Sequence, residues 1–242
     1  MIVLNYHGVT RGGQERDPWD LRRKLFEEHL EVIGPYLRSP SHFAAHCDQP
    51  EHLRAREVLL TFDDGRESDY SYAFPKLHGE LKVGFISFVN TANVGRRGFL
   101  SWPMLQEMSR HGVPIGSHGH SHVDLTTLAP RELRGQLESS RKELQDRTGQ
   151  PVTLMAFPFG KFNRRVWEAA LAEGYSAMFT ITPGHHRLFR PFLFSRLCVR
   201  NEMGADFLRA YLRAPDKAGR LRFRIARKLN IYNLMMEIRY RF

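Results

Sequence analysis

Val58-Leu-Leu-Thr-Phe-Asp-Asp-Gly65 decides the fold. Val58 to Phe62 are branched, leucine or aromatic residues, and the run is too short for a helix; with a turn signal behind it, it reads as a buried strand. Asp63 and Asp64 should therefore emerge at the C-terminal end of that strand, which is where barrel folds carry their chemistry. The two carboxylates could simply cap a following helix, expected around Ser68 to Leu77. Adjacent negative charges repel, however, and a bound cation relieves that repulsion.

Further along, His118-Gly-His-Ser-His122 follows a second short apolar run, Val113-Pro-Ile115, with Gly116 and Gly119 permitting a sharp turn. A His-x-x-x-His spacing puts two rings on one side of a helical turn, or folds them together in a tight loop, and one carboxylate completes a three-ligand site with positions left open. Either half alone is weak. Together they predict a metal site with a general base beside it. His120 then points away from the pair, as a pocket-wall or surface residue, and His111, His185 and His186 read as loop residues.

Around these motifs the chain alternates strand and helix. Ile2 to Tyr6 reads as a strand ending at His7; Trp19 to Leu37 as a helix with Leu21, Leu25, His29 or Leu30, and Ile33 on one face; Val83 to Val89 as a strand. Ser101-Trp-Pro103 opens a helix running toward His111, and Pro130 to Arg147 forms another. Thr153 to Phe157 is a strand, Asn163 to Glu173 a helix stopped by Gly174, and Tyr175 to Thr180 a strand. Repeated βα units imply an α/β parallel barrel.

The Thr61-Phe-Asp-Asp-Gly65 and His118-x-x-x-His122 motifs resemble those of the polysaccharide deacetylase superfamily, carbohydrate esterase family four, over roughly Ile2 to Val199. The resemblance implies a distorted (β/α)7 barrel with Asp63 as catalytic base and Asp64, His118 and His122 as metal ligands. It implies zinc first, with cobalt, nickel or iron also accommodated. A third family motif, Arg-x-Pro-Tyr, corresponds to Ala156-Phe-Pro-Phe159: the arginine is missing, and the backbone N–H of Phe159, after Pro158, keeps the implied oxyanion role. Arg196 is a candidate for a replacing cation from another strand, and Pro158 and Arg196 are placed on the substrate side. The family's C-terminal Leu-x-His, source of the general acid, has no counterpart after residue 180. Ile2-Val-Leu-Asn-Tyr-His7 looks instead like the circularly permuted arrangement of poly-N-acetylglucosamine deacetylases, which makes His7 the acid. The implied reaction is amide hydrolysis on an N-acetylated saccharide or glycolipid. Alternatives are a deformylase of a lipid-linked amino sugar and a catalytically silent carbohydrate-binding relative.

Composition agrees with one catalytic domain, residues 1–204, and an appendage, residues 205–242. The 242 residues are 42% hydrophobic and 12% aromatic, ordinary globular material able to bury a sizeable core. Cys47 and Cys198 share no metal-site spacing and suggest no disulfide framework. Met1 runs almost directly into the first strand, so a cytoplasmic location is expected. From Ala205 onward ten basic residues face three acidic ones, carrying +7 of the net +10. Leu221, Ile225, Leu229, Tyr232 and Met235 recur there at helical spacing. Such a helix could pack on the barrel with a solvated basic face, or lie on an anionic membrane surface; nucleic acid is disfavoured because no binding motif accompanies the charge.

Overall fold

The computed structural model describes residues 1–10, 19–47, 53–54, 56–181 and 192–213. Ten strands are assigned: β1 (Ile2–Tyr6), β2 (Val9–Thr10), β3 (Leu21–Arg22), β4 (Val58–Phe62), β5 (Ile86–Val89), β6 (Ile115–Ser117), β7 (Leu154–Ala156), β8 (Ala177–Thr180), β9 (Leu193–Ser195) and β10 (Leu197–Cys198). The main sheet is parallel throughout, in the order β10-β1-β4-β5-β6-β7-β8-β9. β9 and β10 are one stretch of chain flanking Arg196. Its first half pairs with β8 and its second with β1, so the sheet closes into a ring of seven staves. That is the expected distorted (β/α)7 barrel, and closure leaves no sheet edge to protect. β2 and β3 form a separate small ladder.

The alternation of side chains along each stave separates two apolar cores. Ile2 and Leu4 of β1, Val58, Leu60 and Phe62 of β4, and Leu193 and Leu197 pack outward against the surrounding helices. Val3, Leu59, Ile86, Phe88, Ala177, Phe179 and Phe194 point inward and fill the barrel together with Phe43 and Leu53. Continued by period two, the inward rows run Val3-Asn5-His7, Leu59-Thr61-Asp63 and Phe194-Arg196-Cys198. The apolar residues plug the barrel, and the polar ones that follow them stand at its C-terminal mouth.

The helices are α1 (Arg23–Ile33), α2 (Pro40–Ala44), α3 (Trp102–Arg110), α4 (Pro130–Thr148), α5 (Arg164–Ala172) and α6 (Ala205–Arg213). α1 is shorter than the expected Trp19–Leu37, because Leu21–Arg22 is drawn into the small ladder and Gly34-Pro-Tyr36 tightens into a 3₁₀ turn. Its buried face is Leu25, Phe26, His29, Leu30 and Ile33, with both His29 and Leu30 inside. α3 and α5 begin where Ser101 and Asn163 stand as N-caps. The element after the Asp pair is a π-helix, Asp69–Glu80, with Pro75 inside it; a proline lacks the donor for an α-helical ladder and clashes with the carbonyl one turn back, which the wider helix accommodates. Strands β5 and β8 begin later than expected, at Ile86 and Ala177, because Val83 and Tyr175 donate their N–H groups to the ends of the preceding helices.

Of the basic appendage, α6 is described. Leu208, Tyr211 and Leu212 are buried in the same core as α1, so this part packs on the barrel. The apolar stripe Leu221 to Met235 lies outside the described residues, as do His185 and His186. Among the described residues no helix is long and apolar enough to cross a membrane.

Candidate active site

Asp63 emerges one residue after β4, inward and 2% exposed. Arg196 grips it with two bonds: Nη1 donates to Oδ1 at 2.7 Å and Nη2 to Oδ2 at 2.8 Å. The Asn5 amide donates to Oδ2 at 3.0 Å. Arg196 Nη1 also reaches Asn5 Oδ1 and Thr61 Oγ1, each at 3.2 Å. Its guanidinium carbon lies 5.4 Å from the Phe88 ring centre and 5.8 Å from that of Phe179. Such a fork-on-fork pair fixes the carboxylate in orientation as well as charge. Burial pushes the Asp63 carboxyl up, but Arg196 and His118 outweigh that and hold it well below the usual carboxylate range. Asp63 is thus held as a carboxylate in the barrel mouth.

Asp64, the next residue, adopts φ 75°, a left-handed conformation uncommon outside glycine. The reversal turns its side chain toward the histidine loop. Asp64 Oδ1 lies 3.4 Å from His122 Nε2 and 3.7 Å from His118 Nε2, and the three donor atoms fall within 4.8 Å of one another. The histidines sit in a tight loop after β6, not on a helix. Gly119 (φ 75°) and His122 (φ 52°) turn it, and the two rings stand 4.8 Å apart. His118 Nδ1 donates to the Ala156 carbonyl at 2.8 Å, which fixes the ring and turns Nε2 toward the site. Burial and the neighbouring His118 lower the His122 imidazole to about 4, which leaves His122 able to donate a lone pair. Asp64 Oδ1 is buried with no hydrogen-bond partner. An orphaned carboxylate oxygen facing two imidazole nitrogens is the donor set of a divalent cation site, and two nitrogens with one oxygen suit zinc and its neighbours.

A cavity of about 350 Å³ opens over this cluster. His7 lines it at the end of β1, its ring stacked on Trp19 at 5.2 Å, while the Arg200 guanidinium lies over the indole at 3.9 Å. Burial lowers His7, opposed by the negative charges of Asp64 and Asp63. Phe159 also lines it, 47% exposed, with φ 59° and its ring 4.6 Å from that of His122. Arg66, another lining residue, approaches Asp64 Oδ2 at 3.4 Å.

The structure brings together Asp63, Asp64, His7, His118, His122 and Phe159 as the motifs suggested. Arg196 differs from its expected place on the substrate side: it is 1% exposed and stands behind Asp63, because the period of β9 and β10 turns it into the barrel. Pro158 is likewise buried, packed near Gly119 beneath the loop. His120 is tied to Thr91 Oγ1 at 2.7 Å and faces away from the cluster. Asn5 and Trp19 were missed. Asn5 carried a signal, a lone amide inside an otherwise apolar strand; Trp19 carried none, since it read as the first residue of a helix.

A parallel seven-stave barrel with an Asp-His-His cluster and an Arg-clamped aspartate at its mouth defines the class. The sequence model of the polysaccharide deacetylase family matches residues 51–178, more than half of the chain, and the protein belongs to that family. It is 29% identical over 187 residues to YxkH of Bacillus subtilis, covering 75% of this chain and 64% of that one. To the peptidoglycan-N-acetylmuramic acid deacetylase PdaA of the same organism it is 30% identical over 130 residues, covering 53% of this chain and 48% of PdaA. The chain thus spans less than two thirds of these curated relatives. Among solved structures, the Streptococcus pyogenes deacetylase PplD in complex with acetate superposes with a TM-score of 0.77 over 86% of this chain and 96% of that one, at 22% identity, a likeness of fold.

Proposed function

We propose that the protein is a metal-dependent hydrolase that removes the acetyl group from an N-acetylated amino sugar in a polysaccharide or lipid-linked glycan. One observation carries this reading: an ionised aspartate that is not a metal ligand stands directly beside a three-donor cation site, with His118 Nε2 3.8 Å from Asp63 Oδ2. A binding protein has little use for a base in that position. Family membership supports the same chemistry, and PdaA bears the name of an amino-sugar deacetylase.

Asp64, His118 and His122 would hold the cation, which when bound supplies Lewis-acid polarisation of the acyl oxygen and a lowered pKa for water in the site. Asp63 accepts the proton of the attacking water. Its Arg196 clamp keeps it ionised and aims it, the task that the family resemblance gives to the arginine missing from Ala156-Phe-Pro-Phe159. That substitution weighs against the silent-relative reading, which rested on the missing arginine. The Phe159 backbone N–H donates to the developing oxyanion. His7 protonates the departing amine; burial makes its imidazolium a readier proton donor than an exposed one. The placement of β1 beside β10 supports the permuted assignment, since a strand at either end of the chain could fill that slot.

The test is acetate release from N-acetylglucosamine oligomers and from peptidoglycan fragments by metal-loaded enzyme. Asp63→Asn is expected to cut kcat by at least about a hundredfold while metal affinity is retained. Unchanged turnover in that variant removes Asp63 from the mechanism.

A further inference from the structure

The loop His118–His122 must deliver two imidazole nitrogens to one point without the help of regular secondary structure, and it does so with His122 in a left-handed conformation. Something outside the loop has to fix its span. Ser117 and Ser121 bracket His118, Gly119 and His120, four positions apart, and both are held by helix α4. Ser117 Oγ lies 2.7 Å from Ser140 Oγ. The Ser121 N–H donates to Gln136 Oε1 at 2.9 Å, and Gln136 Nε2 donates back to Ser121 Oγ at 2.8 Å. Gln136 and Ser140 are also four positions apart, one turn on one face of the helix. Loop and helix run antiparallel, so the later serine meets the earlier helix residue.

The helix end of this frame is itself anchored. Ser140 donates to the Leu137 carbonyl and lies 3.3 Å from the Tyr175 hydroxyl, which donates to the same carbonyl. Ser117 Oγ also accepts the Gly119 N–H at 3.1 Å, inside the ligand loop. The opposite side of the loop is held by the Ala92 N–H on the His120 carbonyl. Ordinary surface hydrogen bonds have no reason to match a helical turn to a ligand spacing.

We propose that α4 is the template that sets the separation of the two histidine ligands, with Gln136 as a positioning residue that fixes His122 through Ser121. The inference rests on the cation-site reading given above. Gln136 touches neither substrate nor metal; it restricts where the second imidazole can go, and a ligand that is pre-placed loses less freedom when the ion binds.

The test is zinc affinity of the full chain, by competition with a chromophoric chelator, together with the thermal midpoint of each metal-free form. Gln136→Met keeps the volume and removes both hydrogen bonds. It should bind zinc about tenfold more weakly with its metal-free midpoint unchanged. Ser121→Ala, which keeps the N–H contact and loses only the hydroxyl, should show a smaller loss, and as a loop substitution it carries the test if Gln136→Met does not fold. Gln136→Glu still accepts from Ser121 N–H and hydroxyl, and at high salt should restore affinity toward the wild-type value. Wild-type affinity in Gln136→Met and Ser121→Ala overturns the template while leaving the site intact, as does a loss of affinity that merely follows a loss of metal-free stability. A wild-type chain that binds no zinc, cobalt or nickel overturns the cation site itself and this inference with it.

Discussion

Arg196→Met tests the heart of the barrel mouth. Methionine preserves most of the volume between Phe88 and Phe179 but leaves Asp63 as an unpaired buried carboxylate. Both residues are 2% exposed or less, so solvent does not screen the pair. Breaking a buried ion pair by deleting one partner costs about 3–5 kcal/mol, and for a chain of this size that corresponds to a fall in Tm of about 6–20 °C. The loss has a characteristic pH dependence. In the wild type, Asp63 is held below its unfolded value, so its contribution is present above about pH 3.9 and is lost as pH falls below that. In the variant, burial acts unopposed and raises Asp63, so the folded state takes up a proton on acidification and recovers part of its stability. The gap between the two proteins should therefore be widest at neutral pH and narrow toward about pH 4. Urea unfolding from pH 8 to pH 4 in the presence of a chelator measures it, the chelator preventing a bound ion from masking the effect. Asp63→Asn/Arg196→Met, which removes both charges, should lose less than Arg196→Met alone. A loss below about 1 kcal/mol, or one that does not vary with pH, refutes the clamp.

Other expectations follow from particular contacts. Burial lowers the His29 imidazole, which sits between the Met203 carbonyl at 2.6 Å and the Tyr6 hydroxyl at 3.4 Å. The unfolded chain takes up that proton first, so stability is full above about pH 6.5 and is lost as pH falls below it; His29→Gln should flatten this part of the urea midpoint profile, and superimposable profiles contradict it. Gly160 has φ 67°, and a Cβ there would meet the Ile181 side chain and come within 2.8 Å of its backbone nitrogen. Gly160→Ala should lower stability by about 2–4 kcal/mol, visible as a Tm drop of several degrees; an unchanged Tm means the turn relaxes freely. His7→Gln should depress kcat far more than zinc affinity, because His7 is not among the cation donors, and equal losses in both would reassign it as a ligand.

Most of the staves were legible because each is a short apolar run between turn signals, and the site residues were legible because Asp63-Asp64 and His118/His122 follow two of those runs. Arg196 was legible as a candidate replacing cation from another strand; its burial behind Asp63, rather than on the substrate side, was not. A single arginine between Ser195 and Leu197 has no local pattern; it is the alternation along β9 and β10, once paired to β8 and β1, that drives it into the barrel under Asp63. Asn5 follows the same rule from the other side of the seam. Trp19 and Gln136 depend on a turn and on a loop-to-helix register, neither of which sequence period encodes. The helix expected around Ser68 to Leu77 is the π-helix Asp69–Glu80, whose wider turn is a response to Pro75 that a helical period does not encode.

Metal stoichiometry paired with acetate release is the most direct measurement of the central claim. Metal-free protein titrated with zinc should take up one ion per chain, lose that uptake in His118→Ala/His122→Ala, and release acetate from an N-acetylated amino-sugar substrate only when loaded. Acetate release that persists in the chelated wild type or in the double variant contradicts the account.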